Sequence, residues 1–146
     1  YQIIHLCGKG NIDKLYNNRS GYVQFEYAGK ELRDMFALSS LVTSRAGANA
    51  ICELLALHKP NILIPLSAAA SRGDQILNAA SFEKQGFSYV IKEENLTKET
   101  LDAAIKKVMT EKETYISNMK SSQQLDSIHT ILKLIEEASE KKKKKA

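Results

Sequence analysis

A chain of 146 residues with 43% hydrophobic and 26% charged content carries enough apolar material for one core of ordinary size and too much for a disordered protein. No apolar run approaches the ~18 to 20 residues of a membrane-crossing helix, and no charged segment, apolar run and cleavage site open the sequence, so the expectation is neither a membrane span nor secretion. The net charge of +4 is a property of the end: five of the 21 Lys and Arg form the run Lys141–Lys145, and without them 16 bases face 17 acids. That run reads as a solvated, disordered tail, and the neutral body argues against a nucleic-acid partner.

Apolar strands alternate with segments of helical spacing, the pattern of β and α units around a parallel sheet. A first strand is predicted over Gln2–Cys7, followed by Gly8 and Gly10 and a short polar helix near Ile12–Tyr16. A second strand over Tyr22–Tyr27 leads to a helix over Lys30–Ser39 with Leu32, Met35, Phe36 and Ser39 on one face. The chain re-enters the sheet at Leu41–Thr43.

From Gly47 to His58 the positions Ile51, Leu54, Leu55 and His58 follow i, i+3, i+4, i+7, so this helix is expected to bury one stripe and to end before Pro60. The run Asn61–Leu66 is apolar on both faces, as a central parallel strand is. A polar loop, Ser67–Gly73, precedes a helix over Asp74–Gln85 closed by Gly86, and a last strand follows at Ser88–Ile91. Thr97 is the expected N-cap of a helix burying Leu101, Ala104, Ile105 and Val108. A final helix is predicted over Ser122–Ser139, burying Ile128, Ile131, Leu132 and Ile135. The reading is one α/β domain over residues 1–140 with a lysine tail at 141–146. The opening YQIIHLCGKGN enters a strand at once, from which we expect an excised part of a larger sheet.

In such sheets ligands bind beyond the carboxyl ends of the strands, where loops meet helix N-termini. Three loops have that position: Gly8–Gly10, Ser44–Ala48 and Ser67–Asp74. In the second, Ser44-Arg45-Ala46-Gly47-Ala48-Asn49-Ala50, small side chains let a ligand approach the free N–H groups of a helix start, where the dipole favours an anion such as phosphate. Helical side chains lean toward the N-terminus, so Glu53 can reach back and accept hydrogen bonds from a diol such as ribose. Phosphate and ribose together describe a nucleotide. A tight helix–strand contact with Glu53 solvated accounts for the same residues equally well. Neither the G-x-G-x-x-G nor the Walker pattern is present.

The third loop brings Arg72, Asp74, Gln75 and Asn78 to a helix start. Asp74 is expected to cap that helix, whereas the Gln75 amide, which both donates and accepts, suits sugar hydroxyls. His5, His58 and His129 are scattered, with no nucleophile beside them and no paired carboxylates elsewhere. Cys7 and Cys52 lie far apart without metal spacing and read as buried, reduced thiols. No metal and no cofactor are expected.

The order GKG (8–10), FALSSLVTSRAGANAICELLALHKPNILIPL (36–66), GDQILNA (73–79) and FEKQG (82–86) resembles the carboxy-terminal donor-binding domain of the MurG family. These are bacterial N-acetylglucosaminyltransferases of the GT-B superfamily that convert lipid I to lipid II in peptidoglycan synthesis. The resemblance implies a Rossmann-like α/β half of an inverting hexosyltransferase with UDP-N-acetylglucosamine as donor. It places Ser44, Arg45, Ala46, Gly47, Ala48, Asn49 and Ala50 against diphosphate and ribose, Glu53 on the ribose hydroxyls and Gln75 on the GlcNAc hydroxyls. Asp74 and Asn78 stand beside Gln75, and backbone around Gly29 faces uracil. It also implies that the acceptor groove for lipid I, the membrane-facing patch and the general base belong to an amino-terminal domain that this chain lacks. Peripheral attachment at the cytoplasmic face of the plasma membrane and an inactive isolated chain follow from the same likeness. The alternative is a noncatalytic nucleotide-sugar-binding or interaction module that works with a separate acceptor subunit.

Overall fold

Every strand pair in the computed structural model, which describes residues 1–68, 73–122 and 132–137, is parallel. The chain divides into two compact units, Tyr1–Ser40 and Leu41–Ala146.

In the first unit, β1 (Ile3–Leu6) pairs with β2 (Tyr22–Phe25), with Ile3 opposite Tyr22 and Leu6 opposite Phe25. A 3-10 turn at Lys14–Tyr16 lies between them, and Asp13 caps it by accepting from the Leu15 N–H at 2.9 Å. The helix α1 (Leu32–Leu38) follows. Leu32, Met35, Phe36 and Ser39 are the half-buried positions of that segment and their neighbours are exposed, as the spacing predicts. The apolar side chains Ile3, Ile4, Leu6, Val23 and Phe25 of the two strands are exposed.

The second unit holds a three-stranded sheet in the order β3 (Val42–Ser44), β4 (Asn61–Leu63), β5 (Tyr89–Val90). The expected single sheet is therefore two sheets; β4 and β5 are shorter than their apolar runs, and β3 keeps the expected length one residue further on. In β4 the ladder stops at Leu63 because Pro65 has no N–H to donate. The crossovers are α2 (Ala48–Ala56) between β3 and β4, and α3 (Asp74–Lys84) between β4 and β5. After β5 come a 3-10 turn at Glu93–Asn95, α4 (Lys98–Thr110) and α5 (Lys112–Lys120).

Asn61, Ile62 and Leu63 of β4 are all buried, which is why its sequence is apolar on both faces. Ile62, Ile64 and Ile91 form one core cluster with Ala104 and Val108 of α4, flanked by Leu41, Tyr89, Leu101, Ile105 and Tyr115. On α2 the expected stripe Ile51, Leu54 and Leu55 is buried. Burial of each such side chain is worth about 1.5 to 3 kcal/mol, so these stripes hold the helices in place. Thr97 caps α4 as predicted, in a reciprocal capping box with Thr100.

Four expectations fail. Cys52 is exposed, because it follows Ile51 onto the outer side of α2, and Cys7 is only half-buried. His58 lies beyond the end of α2 instead of on its stripe: it adopts φ 49° as the residue after the C-cap, with its N–H bonded to the Leu55 carbonyl at 3.1 Å. The helix α5 was not anticipated; Met119 is its one buried residue, too little apolar content to show a period. Residues 132–137 are helical, but Leu132 and Ile135 are exposed; Ile128 and Ile131 lie outside the described residues.

Candidate functional site

Parallel strands send all their carboxyl ends to one edge, and in the second unit that edge collects the loops after β3, β4 and β5. The loop after β3 is the small-residue turn. Ala46 is fully buried and holds φ 63°, a left-handed conformation that costs an L-residue about 1 to 2 kcal/mol. Its size is thus set by packing inside the protein.

Gly47 is different. As the N-cap of α2 it has φ −63° and ψ 142°, angles open to any residue, and a Cβ built on it would meet nothing within 4 Å. No contact among the described residues requires glycine at that position. As N-cap, Gly47 offers α2 no side-chain cap. The first helical backbone bond runs from the Ile51 N–H to the Gly47 carbonyl at 3.0 Å, so the N–H groups of Gly47, Ala48, Asn49 and Ala50 are the four that a helix start leaves without intrahelical acceptors. Asn49 and Ala48 are exposed, and Ala50, Gly47 and Ser44 are half-buried.

Glu53 is exposed one turn along α2; its backbone carbonyl accepts from the Leu57 N–H at 2.9 Å, and its carboxylate has no hydrogen bond or ion pair with another described residue. On α3, Gln75 and Asn78 occupy adjacent turns and both are half-buried. The Gln75 Oε1 accepts from the Leu66 N–H at 3.0 Å, which fixes the amide; its NH₂ has no partner among the described residues. The Asn78 Nδ2 donates to the Ala46 carbonyl at 3.1 Å. Asp74 is the first residue of α3, after the N-cap Gly73, and makes no side-chain cap bond; the expected capping role is therefore replaced by a favourable charge in the first turn.

Arg45 and Glu93 close the arrangement. The Arg45 Nη1 donates to the Glu93 Oε1 at 2.8 Å and to the Ile64 carbonyl at 3.4 Å, while the Glu93 Oε2 accepts from the Ser67 N–H at 2.9 Å. The Ser67 hydrogen bond is the largest influence holding the Glu93 carboxyl below its ordinary value; desolvation opposes it and the Arg45 guanidinium adds to it. With Arg45 about half exposed, a pair of this kind is screened by water and adds little to stability, so its consequence is geometric.

The structure thus brings together Ser44, Arg45, Ala46, Gly47, Ala48, Asn49, Ala50, Glu53, Asp74, Gln75 and Asn78 on the loops and helix starts of the second unit. Gly29 belongs to the first unit, where its N–H donates to the Glu31 Oε2 at 3.1 Å. Arg72 and His129 fall outside the described residues. Sequence reasoning missed Glu93, which lies 48 residues from its partner Arg45. An acid directly beyond the last strand, at the edge where ligands bind, was the available signal. Among the described residues no three His, Cys, Asp or Glu side chains gather as a metal site.

Known proteins are similar to this chain in sequence and fold. The chain matches the glycosyltransferase family 28 C-terminal domain over residues 1–143. It is 64% identical to the UDP-N-acetylglucosamine–N-acetylmuramyl-(pentapeptide) pyrophosphoryl-undecaprenol N-acetylglucosamine transferase of Lachnoclostridium phytofermentans over 94% of its own length and 39% of that protein's. The protein of the same name from Lachnospira eligens is 59% identical over 95% of this chain and 39% of the relative. The chain therefore spans about two fifths of the length of these relatives. Among solved structures, Acinetobacter baumannii MurG superposes with a TM-score of 0.68 over 83% of this chain and 37% of that one at 19% identity, a likeness of fold. Parallel sheets flanked by helices, a helix start without a side-chain cap at the carboxyl edge and a family match across nearly all residues agree: the chain belongs to glycosyltransferase family 28 and corresponds to its Rossmann-like C-terminal domain.

Proposed function

We propose that this chain is the UDP-N-acetylglucosamine-binding domain, over residues 1–140, of an inverting transferase that delivers GlcNAc to undecaprenyl-pyrophosphoryl-MurNAc-pentapeptide, converting lipid I to lipid II. The names of the close relatives support the reaction, and the geometry supports the donor half of it.

In this reading the pyrophosphate lies over the N-terminus of α2 and accepts from the amides of Gly47, Ala48, Asn49 and Ala50. Negative charge on the pyrophosphate grows as UDP departs, so fixed amide dipoles stabilise the transition state more than the ground state. Arg45 adds a positive charge at the turn. Glu53 holds the ribose diol, and the Gln75 NH₂, oriented by its bond to the Leu66 N–H, donates to a GlcNAc hydroxyl. The uracil contact at Gly29 rests on the family likeness alone. The acceptor, its general base and peripheral attachment to the cytoplasmic face of the membrane belong to the parent enzyme. The isolated chain is accordingly expected to bind donor and to transfer nothing.

One observation carries the reading. Gly47 has unstrained angles and open space at its Cβ, so its lack of a side chain serves something outside the chain's own packing. Gly47→Asp tests this. Asp is a better N-cap than Gly in a helix first turn, so stability should hold or rise by a few tenths of a kcal/mol, while its carboxylate occupies the amides and repels the pyrophosphate. Calorimetric titration of UDP-GlcNAc into the wild-type chain should give saturable binding that this variant loses. Equal binding by the variant, or none by the wild type, refutes the site.

A further inference from the structure

Glu93 touches two different loops with its two oxygens. One oxygen holds the guanidinium of Arg45, in the turn after β3, and the other holds the backbone N–H of Ser67, in the loop after β4. The turn leads directly into the α2 start, and the Leu66 N–H beside Ser67 is the group that orients Gln75. One carboxylate, supplied by the segment after β5, thus spans the two loops that carry the diphosphate and sugar contacts of the proposed donor site.

The Arg45 side chain shows what this does. Left to itself an exposed arginine samples many rotamers, and fixing it costs entropy at the moment a ligand binds. Here its Nη1 is already committed to Glu93 and to the Ile64 carbonyl, while its Nη2 and Nε have no partner among the described residues. Among the described residues the planar guanidinium is held by one corner only, an arrangement suited to an anion that needs more than one hydrogen bond. A salt bridge this exposed adds little to folding, so its value lies in placement.

We propose that Glu93 is a positioning residue for nucleotide-sugar binding: it sets the distance between the β3–α2 turn and the β4–α3 loop and preorganises Arg45 toward the donor's pyrophosphate. The inference rests on the donor-site reading given above. Glu93 does not itself touch the ligand. It acts through Arg45 and through the Ser67 amide.

The experiment compares wild type, Glu93→Ala, Glu93→Gln, Arg45→Ala and the double variant Arg45→Ala with Glu93→Ala, in the full chain. Calorimetry reads UDP-GlcNAc affinity, thermal denaturation reads folding, and amide hydrogen exchange reads Ser67 without ligand. Glu93→Ala is expected to weaken binding about tenfold, at the lower end of what losing hydrogen bonds to a charged group costs, with an unchanged melting transition and faster Ser67 exchange. Glu93→Gln keeps an acceptor for the Ser67 N–H and loses the ion pair; slow Ser67 exchange should return while affinity recovers only in part. In the Arg45→Ala background the further loss from Glu93→Ala should be smaller than in the wild type, because one of its two routes is gone. Affinity unchanged in Glu93→Ala, or losses that multiply fully in the double variant, overturn the inference while leaving the donor site intact. If the wild-type chain shows no saturable binding, the donor site falls, and the inference falls with it even where Ser67 exchange responds.

Discussion

The Asn78 side chain donates to the carbonyl oxygen of Ala46 at 3.1 Å, and so ties α3 to the most strained residue of the turn before α2. Ala46 is buried with a positive φ, a conformation that persists only when its surroundings hold it. The bond is one such restraint. Asn78→Asp keeps the shape and removes the donor, setting a carboxylate against a carbonyl; it should lower stability by about 1 to 3 kcal/mol by urea denaturation. Ala46→Gly relieves the backbone while loosening the unfolded chain, and is expected to change stability by less than about 1 kcal/mol. A neutral Asn78→Asp would show that the turn is held by packing alone.

The two crossover helices end in the same motif with different residues. After α3, the Gly86 N–H bonds the Glu83 carbonyl and the Phe87 N–H bonds the Phe82 carbonyl, both at 2.9 Å, with the Phe82 and Phe87 rings edge to face at 5.6 Å. After α2, His58 and Lys59 make the equivalent bonds to Leu55 and Leu54. Gly86 has φ 70°, and a Cβ there would lie 2.5 Å from the Asn118 Nδ2, an atom that itself bonds the Gly86 carbonyl. Gly86→Ala should therefore cost about 1 to 3 kcal/mol. His58→Gly should be neutral or stabilise by up to about 1 kcal/mol, since it relieves φ 49° and removes a buried Nε2 that has no partner among the described residues. Thermal melts of the two variants are expected to move in opposite directions or, for His58→Gly, not at all.

What was legible in the sequence follows from range. The positions Ile51, Leu54 and Leu55 of α2, the Gly86 terminus and the Thr97 cap are encoded within a few residues, and each is where the spacing puts it; only His58 leaves the stripe, because the helix ends before it. The turn at Ser44–Ala48 was legible because small residues before a helical period are a local pattern. The partners of its neighbours were not: Gln75 bonds Leu66 nine residues away, Asn78 bonds Ala46 across 32 and Glu93 bonds Arg45 across 48. Asp74 misled for the opposite reason. It has the residue type of a cap but sits one position inside the helix, because Gly73 takes the left-handed angle that precedes it.

Acid should release the clasp at Glu93. The folded carboxyl is held below 4.5, chiefly by the Ser67 N–H and next in favour by Arg45, against desolvation. A depressed acid contributes stability that is fully present above its unfolded value and is lost as pH falls through the folded one. The Ser67 amide should thus keep constant protection at neutral pH, after correction for intrinsic exchange, and fall to the level of Glu93→Gln as pH drops below the ordinary glutamate value and through the depressed folded one, because the protonated carboxyl, like the Gln amide, still accepts but carries no charge. In Glu93→Gln the protection should show no such step. A step in both proteins would assign it to another carboxylate.

Gln75 separates sugar recognition from nucleotide recognition. Its Oε1 is committed to the Leu66 N–H, so the NH₂ is the part of the amide without a partner among the described residues. Gln75→Glu retains an acceptor for Leu66 and replaces the NH₂ donors with a second carboxylate oxygen, leaving the loop in place and removing the hydrogen bond offered to a GlcNAc hydroxyl. UDP-GlcNAc affinity should fall by about 1 to 3 kcal/mol while UDP, which lacks the sugar, loses less than half as much. Glu53→Ala should weaken both ligands by a similar 1 to 3 kcal/mol, because the ribose is common to them. The pair of variants therefore has a crossed signature in calorimetry: one residue discriminates the two ligands and the other does not. Equal losses of UDP and UDP-GlcNAc in Gln75→Glu would move Gln75 from the sugar to the diphosphate, and the α3 start would have to be reassigned with it.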